Sequence, residues 1–132
     1  MKPLKEISFH FKGWISTNKL RNTTSRWQLN ALKNKQRKRF RRLLKELMYD
    51  CQFNTPVSVH IIKRSRLDCD NTSGKFFFDA MQDLEMIKSD APKYVKDVRV
   101  THNNSLPSDS YVVRFYLAED DEVFSNLSFP SY

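Results

Sequence analysis

Apolar and polar residues alternate in four short stretches of the chain and recur at helical spacing in two longer ones. Ile7, Phe9 and Phe11 alternate with Ser8, His10 and Lys12, as in a strand with one face buried. Val57, Val59 and Ile61 repeat the pattern. Val98 and Val100, flanked by Asp97 and Arg99, predict a third strand over about residues 94–102, and Tyr111, Val113, Phe115 and Leu117 predict a fourth. The Asn-Asn-Ser-Leu-Pro-Ser run at 103–108 reads as a turn, which would pair the last two strands as an antiparallel hairpin.

Leu29, Leu32, Gln36, Phe40, Leu43, Leu44 and Leu47 fall on one face of a helix. Ser25, three residues before Gln28, opens that helix with a capping-box pattern. Phe77, Ala80, Met81 and Leu84 predict a shorter second helix after a polar stretch at 63–74, whereas residues 13–24, rich in Ser, Thr and Asn, read as a loop. The order strand, helix, strand, helix, strand, strand predicts an α+β fold: a small mixed sheet of about four strands with two helices on one face.

A chain of 132 residues has room for one such domain, expected over 1–118, with an acidic run and tail at 119–132. At 39% hydrophobic residues it carries too much apolar material for a disordered chain. Cys51 and Cys69 are too few for a disulfide framework. No apolar run approaches the ~18 residues of a membrane span, and residues 1–11 alternate rather than form the apolar stretch of a secretory signal. The expectation is a cytoplasmic protein with reduced thiols and no membrane partner.

Charge changes the picture more. Residues 1–50 hold 14 Lys and Arg against 3 Asp and Glu, while residues 51–132 hold 9 against 12, and the whole chain carries +8. The basic half suits a polyanion. Lys38, Arg41, Arg42 and Lys45 on the long helix, with Lys19, Arg21 and Arg26 before it, are candidate phosphate contacts.

The acids of the second half begin with Asp68-Cys69-Asp70-Asn71, directly after the second strand and its basic exit, Lys63-Arg64-Ser65-Arg66. If that segment is extended, Asp68 and Asp70 point the same way and Cys69 points away. Two close carboxylates suit Mg²⁺, which takes oxygen ligands, water and substrate phosphate together. Arg64 and Arg66 would then grip phosphates on either side of the scissile bond. A calcium-binding EF-hand loop is excluded: counted from Asp68, position six is Ser73 where Gly is needed, and position twelve is Asp79 rather than Glu. A solvated Asp-rich loop remains the simpler alternative on this pattern alone.

The wider pattern is Asp68-x-Asp70-Asn71, then Lys75, then Phe78-Asp79-Ala80-Met81, then Asp90 eleven residues after Asp79. It resembles the RusA family of phage and prophage Holliday-junction resolvases, over roughly residues 5–117. Ser16-Thr17-Asn18, ahead of the basic helix, is similar to the family's amino-terminal Ser-Asn segment. The chain departs from the family in having Ser89-Asp90 in place of an Asp pair, and Glu85-Met86 where the helix usually ends in a small residue and Gly. Glu85 therefore suggests a differently shaped helix end.

The resemblance implies hydrolysis of DNA phosphodiesters at four-way junctions. It makes Asp68, Asp70 and Asp90 the ligands of Mg²⁺ (or Mn²⁺) and Lys75 the catalytic lysine. A homodimer is expected from the two-fold symmetry of the substrate. Asp79 and Asp83 read as supporting residues, and Asn71 as an orienting residue or a helix cap. His10, His60 and His102 fall on strands and read as structural. Two other readings stay open: a basic nucleic-acid-binding module without chemistry, and a nuclease of this fold acting on other branched DNA.

Overall fold

The computed structural model describes residues 2–118, so the acidic run and tail at 119–132 lie outside the described residues. The chain order is β1 (Lys5–His10), α1 (Thr17–Asn22), α2 (Arg26–Leu47), β2 (Val57–Arg64), a 3₁₀ turn (Cys69–Asn71), α3 (Lys75–Asp83), β3 (Val95–His102) and β4 (Ser110–Leu117). The four strands form one mixed sheet in the order β1-β4-β2-β3. β4 lies antiparallel between β1 and β2, and β3 runs parallel to β2 at the edge.

This order corrects the expected hairpin. β3 and β4 do not pair, because β2 separates them. The connection crosses the carboxyl end of β2: Asn103 N–H donates to Lys63 C=O, and Arg64 Nη1 donates to the carbonyls of Asn104 and Leu106. Alternation tells which way side chains point, not which strands pair. In β4, Tyr111, Val113 and Phe115 are almost wholly buried, and the inner position lets that row pack beside the inward rows of both β1 and β2.

Inward residues of the sheet meet α2 and α3 in a single core. Val57, Val59 and Ile61 point into it from β2, and Gln36, Phe40 and Leu44 from α2. Phe9, Phe11, Trp14, Phe40, Phe77 and Tyr111 form an aromatic cluster; the Phe11 and Phe40 rings stack at 4.5 Å. Gln36 earns its buried place by accepting a hydrogen bond from Ile15 N–H at 2.8 Å. The Ser25 cap forms as the sequence predicts, accepting from Gln28 N–H.

Two local expectations are corrected. The 13–24 loop contains α1, because Ser16 Oγ caps it by accepting from Lys19 N–H at 3.0 Å. Such a short helix leaves no periodicity to read. The end of α3 is not reshaped by the absence of Gly. Glu85 adopts φ +59, the left-handed conformation that Gly usually supplies. Glu85 N–H then reaches Gln82 C=O and Met86 N–H reaches Met81 C=O.

Candidate active site

β2 and β3 are parallel, so their carboxyl ends lie side by side, and both segments singled out by sequence meet there. The chain leaves β2 at Arg64, runs through Leu67 and folds into the Cys69–Asn71 turn. The turn is closed by Asn71 N–H and by the Thr72 hydroxyl, both donating to Asp68 C=O. The predicted extended geometry is thus corrected: Asp68 is extended, but Asp70 sits in a 3₁₀ turn, where side chains step around an axis instead of alternating. Cys69 consequently does not point away from the site but lines a cavity with Asp68.

The Ser16–Asn18 segment docks on this turn across more than fifty residues of sequence. Asn71 Oδ1 accepts from Asn18 N–H at 2.9 Å, and Ser16 forms an isolated antiparallel bridge with Thr72. Asn71 therefore does not cap α3, which starts after Gly74 with Ser73 Oγ accepting from Lys75 N–H. It satisfies the first turn of α1. Trp14 Nε1 donates to Ser73 C=O and fixes the other side of the same joint.

The carboxylates of Asp68 and Asp70 are exposed and make no hydrogen bond or ion pair within the described residues. Asp90 is also exposed and, among the described residues, unpaired, but it precedes β3 and lies toward the other end of the parallel pair. Met86 C=O accepts from Phe53 N–H and Tyr94 C=O from Val57 N–H, which fixes residues 86–94 beside the amino end of β2. β3 has eight residues, so the two ends stand about 20 Å apart. Among the described residues no three His, Cys, Asp or Glu side chains gather into a metal-holding group. Asp68 and Asp70 lie two residues apart on the turn, and Asp68 lines a cavity there.

Lys75, at the start of α3, has 58% of its side chain exposed, with Nζ 3.9 Å from Asp79 Oδ1. Asp83 is held by Arg37 and Arg41 of α2, whose guanidinium groups keep its carboxyl below the usual carboxylate range despite partial burial. Arg41 is thereby engaged in tying α2 to α3, and Arg39 in bonding Lys12 C=O and covering the Phe11 ring. Lys35, Lys38, Arg42 and Lys45 are exposed and, among the described residues, unpaired. Their spacing of three, four and three residues aligns them in one stripe about 15 Å long. Arg64 is anchored to the 104–106 loop, while Arg66 is exposed beside Asp68.

Two residues escaped the sequence reading. Trp27 is 79% exposed, over a shallow groove that also carries Lys19 and Lys35. Lys63 is 0% exposed. A signal existed for Lys63: it continues the inward row Val57, Val59, Ile61 by one more step of two. His60 faces the open side of the sheet. Its Nε2 lies 2.7 Å from Thr101 Oγ1, and burial, then Arg99 and Arg114, hold its pKa down.

No helix among the described residues is long and apolar enough to cross a membrane. The chain matches no protein-family model and no curated protein.

Proposed function

We propose that the protein is a Mg²⁺-dependent endonuclease that resolves Holliday junctions by paired phosphodiester hydrolysis, as a homodimer in the cytoplasm of a bacterial or phage-infected cell. The observation that carries this reading is the joint between the Ser16–Asn18 segment and the Asp68–Asn71 turn. Two segments distant in sequence, each similar to a part of the RusA pattern, occupy one place in the fold.

Asp68 and Asp70 would hold the metal, whose contribution when bound is to polarise the scissile phosphate and acidify a water. The remaining work falls to the chain. Asn71 holds the turn against α1, so the carboxylates are presented from a braced segment. Lys75, one helical turn from Asp79, would bring positive charge toward the phosphate as negative charge develops there. The Lys35–Lys38–Arg42–Lys45 stripe and Arg66 would position DNA arms through the backbone without reading sequence. Asp90, the third acid of the pattern, precedes β3 while the turn follows β2, and mutation tests whether it joins Asp68 and Asp70 at the metal.

The alternative is a non-catalytic binding module, for which the exposed basic stripe of α2 would suffice. Incubating a labelled mobile four-way junction with the protein, with and without Mg²⁺, separates the two. Symmetric nicks that need Mg²⁺ support the nuclease; binding without nicks supports the module. Flaps and other branched DNA in the same assay identify the substrate.

A further inference from the structure

The inward row of β2 ends on a charge. Lys63 is wholly buried, with Tyr111 of β4 and His102 of β3 as its neighbours across the sheet. Its ammonium donates to Leu67 C=O and forms no ion pair within the described residues. An ammonium carries three donors, and a buried cation without a counter-charge is costly. The carboxyl end of β2 therefore buries an amine that has no acidic partner among the described residues.

Beside this amine lies a cavity of about 260 Å³. Ser65, Arg66, Cys69 and His102 line it with Lys63, and Asp68 stands at the same wall. Of these, Lys63 and Arg66 are basic and Ser65 brings a hydroxyl, while His102 Nε2 lies 2.7 Å from Asn104 Oδ1. The tetrahedral oxygens of a phosphate would use several of them at once.

We propose that this cavity seats a phosphate group, a backbone phosphodiester of bound DNA, with Lys63 as its buried counter-ion and Arg66 as its outer one. Lys63 is then the residue that fixes the DNA strand against the Asp68–Asn71 turn, while Lys75 stays at the exposed rim. The inference rests on the nucleic-acid part of the proposed function and not on hydrolysis. Asp68 faces the same cavity and repels an anion there, so removing its charge should tighten phosphate binding.

Lys63→Met tests it, because Met keeps the length and apolar stem and removes the charge. Two arms separate free phosphate from DNA. In thermal unfolding, inorganic phosphate at matched ionic strength should stabilise the wild type more than Lys63→Met. General salt exclusion acts on both proteins, so the difference isolates the site. Without phosphate, Lys63→Met should melt no lower than the wild type. In metal-free junction binding, Lys63→Met should bind several-fold more weakly, with the log K against log salt slope flatter by about 0.9. Asp68→Asn should bind phosphate more tightly. Equal phosphate responses in the two proteins together with an unchanged salt slope would overturn the inference. If Lys63→Met does not fold, the wild type decides alone: titration of inorganic phosphate followed by ³¹P resonance either shows saturable binding that Arg66→Met weakens, or overturns the site. Phosphate binding without Mg²⁺-dependent nicking would leave this inference standing and remove the nuclease reading. Nicking with an unaltered Lys63→Met would do the reverse.

Discussion

The two ends of the parallel pair β2 and β3 are built on opposite principles. At the amino end the polar backbone groups named above are satisfied and the apolar groups are packed. Phe53 bonds Met86 and stacks on Phe115, Val57 bonds Tyr94, and Met86 and Ile87 are almost fully buried. At the carboxyl end, among the described residues, the buried Lys63 has no ion-pair partner, the exposed Asp68 and Asp70 are unpaired, and Lys63 and Asp68 line one cavity. A fold selected for stability alone would treat both ends as it treats the first. The buried lysine, not the exposed acids, separates the two ends, since Asp90 at the amino end is exposed and unpaired among the described residues as well.

This contrast can be broken by mutation, and the largest effects are expected at the carboxyl end. Asp68→Asn and Asp70→Asn should each reduce Mg²⁺-dependent nicking by at least ~10²-fold while leaving thermal stability unchanged and junction affinity equal or higher. Asp90→Asn, at the amino end, should cost far less. An equal loss for Asp90→Asn would mean that this acid reaches the turn from a second copy. Mixing Asp68→Asn with Asp90→Asn protein would then restore nicking, because one site of the mixed dimer keeps both of its acids.

The amino end should answer in stability. Met86→Ala removes a side chain that is 4% exposed and should cost about 2–4 kcal/mol by denaturant unfolding. Junction nicking below the unfolding transition should be unaffected. A matching loss of nicking in the folded protein would show that the two ends are coupled.

Glu85→Gly should act in the other direction. Glu85 holds φ +59, which costs a residue with a Cβ about 1 kcal/mol, and the two hydrogen bonds that close α3 use only backbone groups. Gly should raise stability by roughly that amount, reduced by its greater freedom when unfolded. A destabilised Glu85→Gly would mean that the Glu85 side chain supports this end.

The smallest effect is a titration on the open face of the sheet. The His60 pKa is held down, chiefly by burial and then by Arg99 and Arg114. The folded protein therefore resists the proton that the unfolded chain accepts near pH 6.5. Stability should be complete above that pH and fall as the pH drops below it toward the folded value. His60→Gln should flatten the decline in melting temperature on lowering pH from 7.5 to 5.5. An unchanged slope would assign the decline to other groups.

Much of this architecture was legible in the sequence because one-dimensional patterns carry it. Alternation marked β1, β2 and β4, and Ser25 with the Leu29-to-Leu47 face marked α2. What alternation could not carry was partner choice, so the β3–β4 hairpin was expected where β2 intervenes. The Asp68–Asn71 segment was legible as a place but not as a shape. Whether it extends or turns depends on Thr72 and on the distant Asn18, which no local pattern contains. Lys63 could have been read from the parity of the β2 row, but a lysine beside Arg64 reads first as part of a basic exit. The separation of Asp90 from the turn follows from β3 being parallel to β2, a fact available only once the strands are paired.

The central claim is that the turn after β2 is a metal-dependent cleavage site on branched DNA. Its most direct test is single-turnover incubation of wild-type protein with a labelled mobile four-way junction, pre-bound without metal and started by Mg²⁺. The account predicts paired, symmetric nicks that appear only with Mg²⁺ and vanish in Asp70→Asn despite undiminished binding. A junction that stays intact with Mg²⁺ while fully bound, or one that Asp70→Asn cuts at the wild-type rate, would contradict it.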